Sequence, residues 1–311
     1  MSKSKPAPVK AKPLFYPFDH TPPSAEACLD AVYEAFDHYT IAAPFCRQCF
    51  EPEQERVMLL SRDTRRADAK VFDMIYFEHP NCSGGPDTFW HWLPRGLELS
   101  FFGDLGSAPF PQQMIRVGLA ALPEQELHAL RRLFCRIALN WLQNFDYAPL
   151  GVQAEMDDAG LPFWHRQSIT VDIFVILIML RTEPSDVLKV FLDSDRNEAW
   201  SVVWELFQQG SFFIEKESYY ALDDKADEEP MREAVATLHR RTRTEVFQLV
   251  DRPFLLKKWM AASESNSYLA DDLADLEALY NVYHNSQTDE ERAEDERLMR
   301  IGFKLDPPPS S

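Results

Sequence analysis

Glycine is scarce in this chain: there are 10 glycines in 311 residues, against 22 prolines. All-β proteins need many tight turns, and phosphate-binding loops need clustered glycines, because both depend on backbone conformations that other residues rarely adopt. The scarcity of glycine therefore disfavours an all-β fold and a glycine-rich nucleotide site. Hydrophobic residues make up 45% of the chain, which is enough to build a sizeable core.

Positive charge is also in short supply. The chain carries 32 Lys and Arg against 50 Asp and Glu, a formal net charge of −18. A protein that binds nucleic acid needs clustered Lys and Arg to displace counterions from the phosphates. The basic segments 62–70 and 240–243 are short and interrupted, which is typical of a solvated helix face. The sequence therefore predicts no nucleic-acid partner.

Long apolar runs and a disulfide framework are missing. The most apolar stretch, 171–180, is too short to cross a hydrocarbon core about 30 Å thick. Residues 1–13 lack the apolar region of a secretory signal. Five cysteines in a chain of this length do not suggest a disulfide scaffold. We therefore expect a soluble, cytoplasmic protein without a membrane span.

Catalytic signatures are absent as well. The chain has no H-E-x-x-H, G-x-S-x-G, G-x-x-x-x-G-K or G-x-G-x-x-G, and no E-x-x-H pair of a di-iron site. Scattered residues can still form an active site, so these absences only lower the expectation of an enzyme. The leading prediction is an interaction or regulatory module. The alternative is an enzyme, or a thiol-redox or metal-binding protein, that uses Cys46, Cys49 and His91.

Apolar residues spaced by three and four recur along most of the chain, which predicts an all-α fold. We expect an irregular multi-helix bundle or helical array of about ten to twelve helices, with at most one short strand pair. Segment 169–180 is apolar on all sides and fits either a buried helix or a strand; its helical neighbours favour a helix. The aromatic segment 212–222 is the candidate strand. The pair Thr288 and Glu291 predicts a capping box at the last helix.

Composition divides the chain into four segments. Residues 1–23 form a basic, proline-rich tail that is predicted to be disordered. Residues 24–150 form an N-terminal helical region with the C-x-x-C, residues 151–305 an acidic helical region, and residues 306–311 a second tail. The loop 146–166 is the best domain boundary, and a single continuous domain from residue 24 is the alternative.

One constellation has the spacing of a tetrahedral metal site. Cys46 and Cys49 form C-x-x-C, and His79 and Cys82 form H-x-x-C after 29 intervening residues. Two intervening residues let both side chains of each half face one point, and zinc prefers thiolate and imidazole ligands. The spacing therefore predicts a structural zinc site, with accidental spacing as the alternative. The other two cysteines, at 28 and 135, lie on apolar helix faces and are predicted to be core residues.

A redox role for the C-x-x-C has less support. A reactive pair needs Cys46 at a helix N-terminus, where the helix dipole lowers the thiol pKa. Pro52 lies three residues after Cys49 and would break a helix that began at Cys46.

The aromatic segment 87–99 is the second candidate. Asp87 is predicted to be the N-cap of a helix over 88–101 that Pro94 should kink. His91 and Arg95 are four residues apart and share one side of this helix. The simplest interpretation is a packed aromatic helix whose histidine is hydrogen-bonded to backbone. The functional alternative places His91 beside Cys46 and Cys49, as a metal ligand in place of His79.

A resemblance rests on these two segments together. The C-x-x-C, followed about forty residues later by D-x-F-x-H-W-L-P-R-x-L-E-L, resembles an uncharacterised family of bacterial helical proteins. That family pairs a C-x-x-C with a segment close to D-D-F-R-H-F-L-P-R-L-L-E-L. The resemblance covers roughly residues 24–145 and implies a helical fold with no assigned activity. His79 and Cys82 lie outside its pattern, in what looks like an insertion of turn residues.

Overall fold

The computed structural model describes residues 12–60, 63–67, 80–102, 114, 117–119, 122–144, 163–194, 199, 202, 225–250, 252–265 and 288–305. These ranges contain nine α-helices: α1 (Ala25–Ala35), α2 (Pro52–Leu60), α3 (Pro86–Phe102), α4 (Glu124–Asn144), α5 (Phe163–Met179), α6 (Pro184–Leu192), α7 (Lys225–Leu249), α8 (Arg252–Ser265) and α9 (Asp289–Gly302). The described part holds no strand, only an isolated parallel bridge between Tyr16 and Thr182. The all-α prediction is confirmed, with somewhat fewer helices in these ranges than the ten to twelve expected.

Most helix predictions within the described ranges are confirmed. The ambiguous segment 169–180 is the greater part of α5, and its apolar surface is buried on all sides. Ser24 caps α1 by accepting a hydrogen bond from the amide of Ala27 at 3.2 Å. Thr288 and Glu291 form the expected capping box.

One boundary prediction is wrong. Helix α3 begins at Pro86, so Asp87 lies in its first turn and not at the N-cap. Proline suits the first turn of a helix because its φ is already helical and its missing N–H is not needed there. The carboxylate of Asp87 still faces the positive end of the helix dipole.

The spacing of apolar residues also predicts helices over 195–209 and 269–283. Apart from residues 199 and 202, both lie outside the described residues, as do the candidate strand at 212–222 and most of the boundary loop 146–166. The division into regions 24–150 and 151–305 therefore stays a prediction.

The core is built from helix pairs. Helix α1 packs against α4, α4 against α5, and α7 against both α6 and α9. The apolar face of α3 is buried with them, through Phe89, Trp92, Leu93 and Leu97. None of the described helices is long and apolar enough to span a membrane.

Polar side chains of α3 form hydrogen bonds to neighbouring loops. The ring Nδ1 of His91 lies 2.8 Å from the carbonyl oxygen of Tyr39 and therefore donates to it. Arg95 donates from Nε to the carbonyl oxygen of Ala67 at 3.1 Å, and from Nη1 to Glu98 at 2.7 Å. The hydroxyl of Tyr33 in α1 donates to the same carboxylate at 2.7 Å. The family-like residues of α3 thus have architectural roles.

Candidate metal centre

Three of the predicted metal ligands meet in space. The sulfur atoms of Cys46, Cys49 and Cys82 all lie within 4.8 Å of one another, and each side chain is partly exposed. Cys46 and Cys49 belong to the loop before α2, and Cys82 to a short 3-10 helix, Pro80–Ser83, just before α3. We call these three residues the cysteine cluster. Among the described His, Cys, Asp and Glu residues, it is the one group of three with metal-ligand spacing.

Main-chain hydrogen bonds hold the two segments of the cluster together. The amide of Cys46 donates to the carbonyl oxygen of Cys82 at 2.8 Å. The carbonyl oxygen of Cys46 accepts from the amides of Cys49 at 3.3 Å and Phe50 at 2.9 Å, which closes a tight turn over the C-x-x-C. The turn therefore places both sulfurs on the side that faces Cys82.

Side chains on either side of the C-x-x-C anchor this turn. Phe45 and Phe50 are both buried, and their rings meet edge to face with centroids 5.3 Å apart. The buried carboxylate of Glu55 in α2 accepts from the amide of Phe45 at 3.3 Å and pairs with Arg47. Aromatic burial and a satisfied carboxylate therefore fix the loop that carries Cys46 and Cys49.

Two glycines allow the segment that carries Cys82 to pack closely against the loop that carries Cys46. Gly84 and Gly85 have φ of +95° and +91°, a region that favours glycine. A Cβ on Gly84 would lie 2.0 Å from the carbonyl oxygen of Ala42, so a larger residue cannot occupy this position without displacement. The amide of Ala42 also donates to the hydroxyl of Thr88 at 2.9 Å. The turn residues of this region gave no sign in the sequence that it packs against the loop of Cys46.

Main-chain amides next to Cys46 lower the pKa of its thiol. The backbone amide of Gln48, then that of Cys49, lower the pKa of Cys46, with further contributions from the thiols of Cys49 and Cys82. The two core cysteines show the opposite behaviour, because burial raises the pKa of Cys28 and raises that of Cys135 to about 12. Both are buried as predicted.

Of the two histidines predicted as possible metal ligands, the structure describes one. His79 lies outside the described residues, three positions before Cys82. His91 is not part of the cysteine cluster. Its Nδ1 donates to Tyr39, its Nε2 is buried without a hydrogen-bond partner, and burial lowers its pKa. The geometry is that of a neutral histidine packed against backbone, the simplest interpretation of the sequence.

The cluster has the donor set and nearly the size of a soft-metal site. Zinc bonds thiolate at about 2.3 Å, which places sulfurs of a tetrahedral site roughly 3.8 Å apart. The limit of 4.8 Å between the sulfurs requires only a small contraction. A structural zinc site has four protein ligands, and the described residues supply three of them here.

Comparison with family models, curated proteins and solved structures gives no match. Function is therefore inferred from the residues of the site themselves.

Proposed function

We propose that the cysteine cluster binds a structural zinc ion, with His79 as its fourth ligand. The observation that carries this proposal is the convergence of three thiols from two separate segments within 4.8 Å. A structural zinc ion closes its tetrahedron with protein ligands, and His79 has the spacing from Cys82 that a second half-site needs. The ion would join the loop before α2 to the turn before α3.

The position of the cluster suggests what the ion does. The same loop is attached to α3 at Tyr39 and Ala42, so the metal would add a further attachment at Cys46. Structural zinc contributes directly to folding free energy where a local core is small. We propose that the ion stabilises the N-terminal helical region as the surface of an interaction or regulatory module.

Metal analysis of the full-length protein tests the proposal. Protein purified without chelators should carry about one zinc per chain, the stoichiometry of a closed structural site. Replacing Cys82 with Ser should reduce bound zinc well below that ratio, and so should His79→Ala. Cys28→Ala is the matched control, since this thiol is buried in the core away from the cluster and its loss should leave the zinc in place. Zinc-free wild-type protein that also fails to take up added zinc would overturn the proposal.

The lowered pKa of Cys46 supports a second candidate, a reversible disulfide between Cys46 and Cys49. A redox pair needs two thiols, whereas a third converges here, so we place metal binding first. Treatment with diamide, thiol counting and reversal by dithiothreitol separate the two. Zinc-loaded protein should resist diamide at the cluster, whereas zinc-free protein that forms the disulfide reversibly would support the redox function.

A further inference from the structure

A second polar cluster lies inside the fold, far from the cysteines in sequence. The side chains of Arg131 in α4 and Arg181 after α5 are 4% and 2% exposed. Both bind the carboxylate of Glu124, at 2.9 Å and 2.8 Å. The ring of Tyr16 lies 3.8 Å from the guanidinium carbon of Arg131. Two buried positive charges therefore share one negative charge.

The backbone at Arg181 is unusual for an arginine. Its φ is +61°, in the left-handed region. The amide of Arg181 donates to Ile178 at 2.9 Å and that of Thr182 to Leu177 at 3.1 Å, which is the paired closure of a helix C-terminus. Glycine is the usual residue at this position because it adopts the conformation without strain. An arginine at this position therefore carries a conformational cost that glycine would not.

The side chain of Arg181 is only partly satisfied. Its Nη2 binds Glu124, but Nε and Nη1 are buried without a hydrogen-bond partner, and so is the hydroxyl of the adjacent Thr182. Arg131, in contrast, also donates from Nη1 to the carbonyl oxygen of Leu180 at 2.9 Å. Buried polar atoms are almost always paired, and a buried charge without sufficient compensation is strongly unfavourable. Desolvation lowers the pKa of Arg181 in spite of Glu124, in agreement with incomplete charge compensation.

We propose that this cluster is a binding site for a small oxyanion, a carboxylate or a phosphate group. The anion would accept a hydrogen bond from one of the two unpaired donors of Arg181, Nε or Nη1, and balance the second buried positive charge. Guanidinium groups suit this role because their donors match the geometry of both anions. Nε and Nη1 of Arg181 are closed off from solvent, so an anion would reach them only by displacing neighbouring atoms, beside Glu124, whose side chain is 29% exposed. The net charge of the whole chain repels anions, so binding would depend on these local donors.

Anion-dependent thermal stability of the full-length protein tests the proposal. Phosphate and acetate are titrated separately at constant ionic strength set by sodium chloride, and binding is measured directly by isothermal titration calorimetry. Wild-type protein should show a saturable rise in Tm, and the anion that gives the larger rise identifies the class. Arg181→Gln should abolish the saturable part. Arg297→Gln, at an exposed ion pair with Glu294, is the matched control and should retain it.

A second variant makes the outcome independent of whether Arg181→Gln folds. Glu124→Gln removes the competing negative charge but keeps an oxygen acceptor, so anion affinity should rise by roughly tenfold or more. The same Tm response in wild-type protein and in Arg181→Gln would overturn the proposal, because general salt exclusion acts on both. Unchanged or weaker affinity in Glu124→Gln would also overturn it, and would assign the unpaired donors to internal water.

Discussion

Substitution of Gly84 by alanine offers the sharpest test of how the cysteine cluster is built. The new methyl group would lie 2.0 Å from the carbonyl oxygen of Ala42 and 2.7 Å from the hydroxyl of Thr88, at a φ of +95°. The left-handed conformation costs about 1–2 kcal/mol for a residue with a Cβ. Relief of the overlap by backbone movement costs about 1–3 kcal/mol more. The expected loss of stability is therefore about 2–5 kcal/mol.

Gly85 provides the matched control. Its φ is +91°, but no atom lies within 4 Å of the position that its Cβ would take. Gly85→Ala should therefore show only the conformational cost of about 1–2 kcal/mol. The difference between the two variants isolates the contact between the turn of Cys82 and the loop of Cys46.

Urea unfolding gives the stability of each variant, and competition with a chromogenic chelator gives its zinc affinity. If the overlap displaces Cys82 from the other two sulfurs, about 1–3 kcal/mol of difference corresponds to roughly 5- to 150-fold weaker zinc binding in Gly84→Ala than in Gly85→Ala. Equal effects of the two substitutions would refute the reasoning. So would a destabilised Gly84→Ala protein whose zinc affinity equals that of Gly85→Ala.

Two further predictions concern the other half of the chain. A Cβ on Gly302 at the end of α9 would lie 2.3 Å from the carbonyl oxygen of Pro230 in α7. The substitution Gly302→Ala should therefore lower the free energy of unfolding by about 1–3 kcal/mol. An unchanged midpoint of urea unfolding would contradict this packing. Burial raises the pKa of Glu245 to about 7. The carboxyl group of Glu245 therefore stays protonated in the folded state at pH values where the unfolded state, with a pKa near 4.5, has released its proton. The stability that this proton binding contributes is complete at low pH and is lost as pH rises through 7. Between pH 5 and pH 7.5, wild-type protein should lose up to about 3 kcal/mol relative to Glu245→Gln, measured by urea unfolding at both pH values; parallel pH profiles would refute it.

Sequence patterns predicted the parts of this protein that depend on local periodicity. The spacing of apolar residues predicts helices over 184–192 and 122–145. Helix α6 has the first of these limits, and α4 begins and ends within two residues of the second. The segment 169–180 was ambiguous because its apolar residues carry no period, and only burial on all sides in the fold explains that pattern. The capping box of α9 was predictable because Thr288 and Glu291 are three positions apart, whereas the start of α3 at Pro86 was not predicted.

The candidate site was predictable only in part. Spacing nominated Cys82 as a partner of Cys46 and Cys49, and the structure brings these three together, although the family-like pattern did not include Cys82. What spacing could not show is the contact that makes this meeting happen. Gly84 and Ala42 are far apart in sequence, and their approach depends on the positions of α1 and α3. The buried Arg181 gave no signal at all, because a helix C-terminus without glycine looks unremarkable in sequence.

The contacts along the loop before α2 connect α3 to the cysteine cluster. His91 binds the loop at Tyr39, Thr88 binds it at Ala42, and the turn before α3 binds it at Cys46. Two of these attachments come from α3 and the third comes from the turn that precedes it, so all three hold the loop before α2 at one end of this helix. Hydrogen bonds made by α3 fix the first two, and the proposed metal would act only on the last. Packed helices and these hydrogen bonds already position the loop, so the proposed structural ion would add stability at Cys46 to a scaffold that the rest of the chain builds.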